Sequence, residues 1–344
     1  MRYRTLGASG CAVSTLALGT MTFGSESDES VSHAQLDRFF EAGGNLVDTA
    51  DVYSGTRSES IIGRWLAKQS PEIRELAVIA TKGRFPTGPG PNDLGLSRRH
   101  LSRAIDASLR RLGVECIDLY QVHGFDPLTP IDETLRALDD AVRMGKVSYV
   151  GLSNFTGWQV QKAVDVAQAS HLSRPVTLQP QYNLLVREIE WEIVPACQAE
   201  GLGLLPWSPL GGGWLTGKYR RDQLPTGATR LGEDPERGVE AYGRRGPQER
   251  TWQVLAAVET IAGARGCSMA QVALSWLRDR PTVSSVILGC RTIEQLDDNL
   301  GAAELDLTSE EIATLDRVSD PGAADYPYGG PGSQQRSRKL EGGR

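Results

Sequence analysis

Histidine is scarce in this chain, with four in 344 residues, and the five cysteines (Cys11, Cys116, Cys197, Cys267 and Cys290) stand apart with no Cys-x-x-Cys pair. Structural zinc needs clustered Cys and His ligands, so no metal site is expected. An odd, unpatterned cysteine set reads as free thiols of a reducing compartment. Long apolar runs are missing too: none approaches the ~20 residues that span a bilayer. The opening MRYRTLGASG lacks a signal-peptide core. Basic excess is absent, since 37 Lys and Arg face 43 Asp and Glu for a net charge of -6. That disfavours a nucleic-acid surface. The expectation is a cytoplasmic protein that uses neither a membrane nor a nucleic acid as partner.

What is present is rhythm. Apolar, β-rich runs at 16–19, 45–49, 76–82, 117–123, 147–153, 175–179, 202–207 and 284–288 alternate with amphipathic helical patterns. Glycine pairs and caps punctuate them, as at Gly43-Gly44, Gly113 and Gly201. Eight strand–helix repeats predict a closed parallel (β/α)8 barrel, a TIM barrel, over residues 1–320 as a single domain. Two short strands around Gly7-Ala8-Ser9-Gly10 predict a hairpin plugging its bottom. A doubly wound sheet is the competing fold. It wants a phosphate turn after strand one, but Gly19-Thr20-Met21-Thr22-Phe23-Gly24 lacks Gly-x-Gly-x-x-Gly spacing. Residues 208–246, rich in Gly, Pro and Arg, read as one long structureless loop after strand seven, of the kind that forms lids. The polar tail 321–344 reads as flexible.

Strand C-termini face the active site of such a barrel. Strand two ends in Asp48, strand three in Lys82 and strand four in His123, with Tyr53 just past strand two. Each has a bland reading alone: a turn-capping aspartate, a solvated lysine, a packed tyrosine. Together they make carbonyl reduction chemically sensible. A proton must reach the carbonyl oxygen from an acid close to neutral pH. Tyrosine, with a usual pKa of ~10, needs an ammonium beside it to lower that value. A carboxylate keeps the buried ammonium charged. A neutral His123 can orient the substrate oxygen. The hydride must come from a cofactor.

The same residues lie in stretches that resemble the aldo-keto reductase family. They are Asn45-Leu46-Val47-Asp48-Thr49-Ala50-Asp51-Val52-Tyr53, Ile79-Ala80-Thr81-Lys82, and Asp118-Leu119-Tyr120-Gln121-Val122-His123. Gly151-Leu152-Ser153-Asn154-Phe155, Gln179-Pro180-Gln181-Tyr182-Asn183, Trp207-Ser208-Pro209-Leu210, Leu215-Thr216-Gly217-Lys218-Tyr219 and Gly289-Cys290-Arg291 follow in order. The likeness runs from Arg2 to Val318 and is nearest the branch holding potassium-channel β subunits and bacterial relatives, where a homo-oligomer is a common arrangement. It implies NADPH (NADP+) as cofactor and a small carbonyl compound as substrate, with Tyr53 as general acid tuned by Lys82 and Asp48. Ser153, Asn154 and Gln179 would hold the nicotinamide amide, and Trp207 its ring. Ser208, Pro209, Leu210, Gly212, Lys218 and Arg230 would surround the pyrophosphate. Gly289, Arg291, Gln295, Asp298 and Asn299 would take the 2′-phosphate and adenine, and Gly19, Thr20 and Met21 would complete the cofactor wall. Cys290 departs from the usual small hydroxyl residue, which removes one phosphate hydrogen bond.

Substrate contacts are expected from Phe23, Phe85, Phe125 and Trp214 beside Tyr53 and His123, an aromatic-lined cleft with a few polar groups. Arg57 and Arg84 suit an anionic substrate. Two other classes remain in view. A Schiff-base aldolase would use Lys82 as nucleophile. A non-catalytic nicotinamide-binding sensor or accessory subunit would keep the cofactor site alone.

Overall fold

The computed structural model describes residues 1–227, 229–323 and 327–328. Eight parallel strands follow one another around a barrel in chain order, beginning with Leu16–Gly19 and ending with Val286–Gly289, which pairs back onto Leu16–Gly19. The remaining seam joins strand seven, Gly203–Leu204, to the approach of strand eight: Leu204 bridges Val283, and the Ile287 amide donates to the Pro206 carbonyl at 3.1 Å. This is the (β/α)8 architecture.

Tyr3–Thr5 and Ala12–Ser14 pair as the expected antiparallel hairpin. Its Leu6 and Val13 are fully buried in one apolar cluster with Ala17, Leu46, Ala80, Leu119 and Leu205 from barrel strands. The hairpin therefore closes the barrel floor. Gly7 makes this fit possible: its φ is +57°, and a Cβ there would meet the Val176 carbonyl oxygen at 2.0 Å. The helices bury their apolar stripes against the outer sheet face. Arg98–Leu112 shows the local logic: the Ser97 side chain caps its N-terminus and a left-handed Gly113 ends it. Among the described residues no helix is long and apolar enough to cross a membrane.

Three differences from expectation have clear causes. The third strand starts later, at Val78, because Pro71 at a helix start nucleates Pro71–Leu76. Strand seven contracts to two residues because Pro206 has no amide to give the ladder. Residues 208–246 are not structureless. They carry short helices at Gly211–Thr216, Arg230–Glu233, Gly238–Glu240 and Tyr242–Arg245. A miniature aromatic core holds them: Trp214 is fully buried, stacks on Tyr242 at 5.4 Å, meets Tyr219 and Trp252 edge-on, and donates to the Glu240 carbonyl. Most of the tail expected to be flexible lies outside the described residues.

Candidate active site

Parallel register brings the strand ends level, with Asp48 beside Ala80 and Lys82 beside Gln121. The fully buried Lys82 Nζ donates to Asp48 Oδ2 at 2.6 Å, to the Thr49 carbonyl at 2.8 Å and to the Tyr53 hydroxyl oxygen at 3.2 Å. An ammonium has three donors and no acceptor, so all three are engaged. The Tyr53 oxygen accepts from Lys82, which leaves the phenol's own proton free for another acceptor. Asp48 is held in turn: its Oδ1 accepts from Gln179 Nε2 at 2.8 Å and Gln121 Nε2 at 3.3 Å. His123 lies edge-on to Tyr53, with ring centroids 5.8 Å apart.

Electrostatics assigns a protonation state to each group. Burial works against the Lys82 charge, but the Asp48 carboxylate and Tyr53 outweigh it, and the lysine pKa ends above its usual value. A Schiff base at Lys82 would need the neutral amine, which this environment opposes. Burial pushes the Tyr53 pKa up; Lys82 pulls it down, and Asp48 pushes it up again. The expected downward pull exists, yet desolvation of the phenolate wins, so Tyr53 is a protonated acid at neutral pH. Burial, reinforced by the Lys82 and Arg84 charges, drives His123 down to about 2. It is therefore a neutral imidazole, and its buried Nδ1 has no hydrogen-bond partner among the described residues.

From Tyr53 and His123 a cleft of about 630 Å³ runs to Arg291 and Asn299. Every residue expected at the cofactor lines it. Near the tetrad, Ser153 Oγ donates to the Gln179 carbonyl at 2.9 Å, and Asn154 Nδ2 donates to the His123 carbonyl at 3.0 Å. Asn154 Oδ1 accepts from the Trp207 indole at 3.0 Å, which fixes that ring on the cleft wall. Asn154 and Ser208 both hold positive φ, at 56° and 54°, a strain concentrated at functional walls. Further along, Arg230 Nε is buried without a partner among the described residues. Burial lowers the pKa of both Lys218 and Arg230. At the far end, the Arg291 amide donates to Gln295 Oε1, and Gln271 Nε2 donates to Asp298 Oδ1. Cys290 does not face the cleft: it is buried, and its Sγ accepts from Asn299 Nδ2 at 3.3 Å.

The aromatic expectations divide. Phe85 is partly exposed and holds its ring 4.7 Å from His123, outside the residues that line the cleft. Phe125 packs edge-on against Phe155 and Trp158 instead of lining the cleft. Phe23 and Trp214 are fully buried and do not reach it, because each fills a hydrophobic core under its loop. Arg57 turns back onto the Ser54 carbonyl, and Arg84 onto that of Phe125. Several site residues escaped the sequence reading. Gln121 was legible, since it lies two residues before His123 and so on the same strand face. Glu26 and Glu233, which hold Arg291, and Glu240, which lines the cleft and binds Arg245, carried no local signal.

Residues 15–320 match the model of the aldo/keto reductase family. The chain is 37% identical over 326 residues to an uncharacterized oxidoreductase, YrpG, of Bacillus subtilis (strain 168), covering 92% of this chain and 96% of that one. It is 35% identical over 325 residues to a probable voltage-gated potassium channel subunit beta of Oryza sativa subsp. japonica, with the same coverage. Versiconal hemiacetal acetate reductase of Aspergillus parasiticus shares 34% over 346 residues, 94% of this chain and 98% of its own. By its barrel, its site and these matches, the chain belongs to the aldo-keto reductase family of oxidoreductases.

Proposed function

We propose that this protein reduces an aldehyde or ketone to an alcohol with NADPH, in the cytoplasm, residues 1–320 forming the working unit. One observation carries the reading: Lys82 donates to the Tyr53 oxygen, so the phenol proton is left free at the mouth of a long cleft. The cleft suits a dinucleotide. Arg230, its Nε without a partner among the described residues, and the exposed Lys218 on the cleft wall are cations suited to a pyrophosphate. Gln179 spends its amide nitrogen on Asp48, leaving its oxygen for an amide donor. The Trp207 face is fixed for a planar ring. Arg291 and Gln295 would take the 2′-phosphate, and Asp298 and Asn299 the adenine edge.

When bound, the cofactor supplies the hydride. This chain's residues do the rest. His123, neutral at any working pH, donates one ring N–H to the carbonyl oxygen and holds it near Tyr53. Tyr53 passes its proton to that oxygen as charge develops there. The Lys82 ammonium stabilises the phenolate that remains, and Asp48 keeps Lys82 charged and aimed. Relatives bearing reductase names support the assignment. The channel-subunit relatives favour a second reading, a nicotinamide-binding accessory protein that turns over little. The test follows nicotinamide absorbance with NADPH and NADH against a reactive aromatic aldehyde. Steady oxidation of NADPH supports the reductase. Tight binding without turnover supports the accessory role.

A further inference from the structure

The 2′-phosphate end of the cleft holds an arrangement that the family assignment does not explain. Arg291 offers its two-pronged face to Glu233: Nη1 donates to Oε1 at 2.8 Å and Nη2 to Oε2 at 3.2 Å. Its Nε donates to Glu26 Oε2 at 3.0 Å. Arg237 pairs with Glu26 at 2.7 Å and lies 3.9 Å from Glu233. Two arginines and two glutamates thus form a ring joining the loop after strand one, the loop after strand seven and the end of strand eight. Arg291 and Glu26 line the cleft; Glu233 stands behind, with its side chain about half exposed at 47%.

We propose that Glu233 is a selectivity residue that competes with the cofactor's 2′-phosphate for the fork of Arg291. The proposal rests on the reading of the cleft as a nicotinamide nucleotide site. A guanidinium fork matches carboxylate and phosphate alike, and one fork serves one anion well. A 2′-phosphate must displace Glu233 or share the guanidinium with it, which brings a third anion against the two arginines of the ring. A ribose 2′-hydroxyl makes no such demand. Glu233 therefore weakens NADPH and leaves NADH untouched, narrowing a preference that Arg291 alone would make wide. Glu26 keeps the Arg291 Nε in either case, so the guanidinium stays in place when Glu233 lets go. Because Glu233 is half exposed, the competition is modest and screened by salt.

The test is binding, read from nicotinamide and tryptophan fluorescence on the full chain, with adenosine 2′,5′-bisphosphate and 5′-AMP as probes beside NADPH and NADH. Glu233→Gln keeps the size and removes the charge. It is expected to tighten NADPH and the 2′,5′-bisphosphate by about two- to fivefold, the range of a partly exposed ion pair. NADH and 5′-AMP should stay within about twofold, and the gain should shrink at high salt. The neighbouring Glu236→Gln, which removes an equal charge off the ring, should leave the ratio unchanged. An unchanged ratio in Glu233→Gln overturns the proposal. So does weaker NADPH binding, which would mean that Glu233 positions Arg291 for the phosphate. If wild type binds none of the four probes, the nicotinamide reading itself fails and takes this inference with it.

Discussion

Substituting Asp48 by asparagine probes the buried pair at the heart of the site. The Asp48–Lys82 contact is 2.6 Å, and the two side chains are 3% and 0% exposed. At an effective dielectric near 20, that separation corresponds to about 6 kcal/mol of attraction before desolvation is subtracted. Removing one partner of such a pair costs about 3–5 kcal/mol. Asparagine keeps an oxygen for Gln179 and Gln121 but sets its amide nitrogen, a donor, against the Lys82 ammonium, so the loss reports the charge together with that one hydrogen bond. Lys82 retains the Thr49 carbonyl and Tyr53 oxygen, but the burial that already opposes its charge then dominates, and its pKa falls below the usual lysine value. The unfolded chain of the variant then holds more protons than the folded one between that lowered value and about 10.5, so the variant gains stability as pH rises through this window. Wild-type Lys82 is raised instead; its contribution is complete below the usual value and fades only above it. The deficit of Asp48→Asn should therefore be largest near neutrality and narrow toward pH ~10. Urea unfolding followed by tryptophan fluorescence measures it. A deficit under about 1 kcal/mol, or one that does not change with pH, refutes the reasoning.

Other expectations follow from the same geometry. Since His123 is already neutral, the turnover of carbonyl reduction should show no histidine limb between about pH 5 and 8, and should decline only on the alkaline side, above the usual tyrosine value of about 10; an acidic limb abolished by His123→Gln contradicts this. Asp51 is buried, and burial together with the Glu59 charge raises it to about 7 against the pull of Arg111, the Val52 amide and Lys82. A raised carboxyl contributes its stability below the usual carboxylate range and loses it as pH climbs through about 7. Asp51→Asn should thus gain on wild type by up to about 4 kcal/mol between pH ~4 and ~8, read as a pH-dependent shift in urea midpoint. Gly7→Ala forces a methyl onto the Val176 carbonyl at a positive φ and should lower stability by about 2 kcal/mol or more, seen in Tm; an unchanged Tm would mean that the hairpin does not seal the barrel floor.

The barrel was legible because its strands are short apolar runs between glycine and cap signals, and the gathering of Asp48, Tyr53, Lys82 and His123 at one end of it because three ionisable residues end three successive strands. Both signals are local. What escaped was set by partners far apart in sequence. Nothing near Trp214 announces that the distant Tyr242 and Trp252 will join Tyr219 in burying it, so an aromatic in a glycine-rich loop passed for a pocket wall. Phe23 failed likewise, its place under the first loop being filled by the core. The Glu26–Arg291 and Glu233–Arg291 pairs span 265 and 58 positions, beyond any spacing rule. The fall of Tyr53 on the side of a raised pKa needed the depth of its burial, which residue types alone do not give.

Proton donation by Tyr53 is tested by comparing wild type with Tyr53→Phe, following NADPH oxidation by an aromatic aldehyde and, separately, NADPH binding. Removing the phenol oxygen removes the proton donor and leaves the ring. Turnover should fall by about a hundredfold or more, with the NADPH dissociation constant nearly unchanged. A Phe variant that binds NADPH and reduces the aldehyde at the wild-type rate would contradict that role.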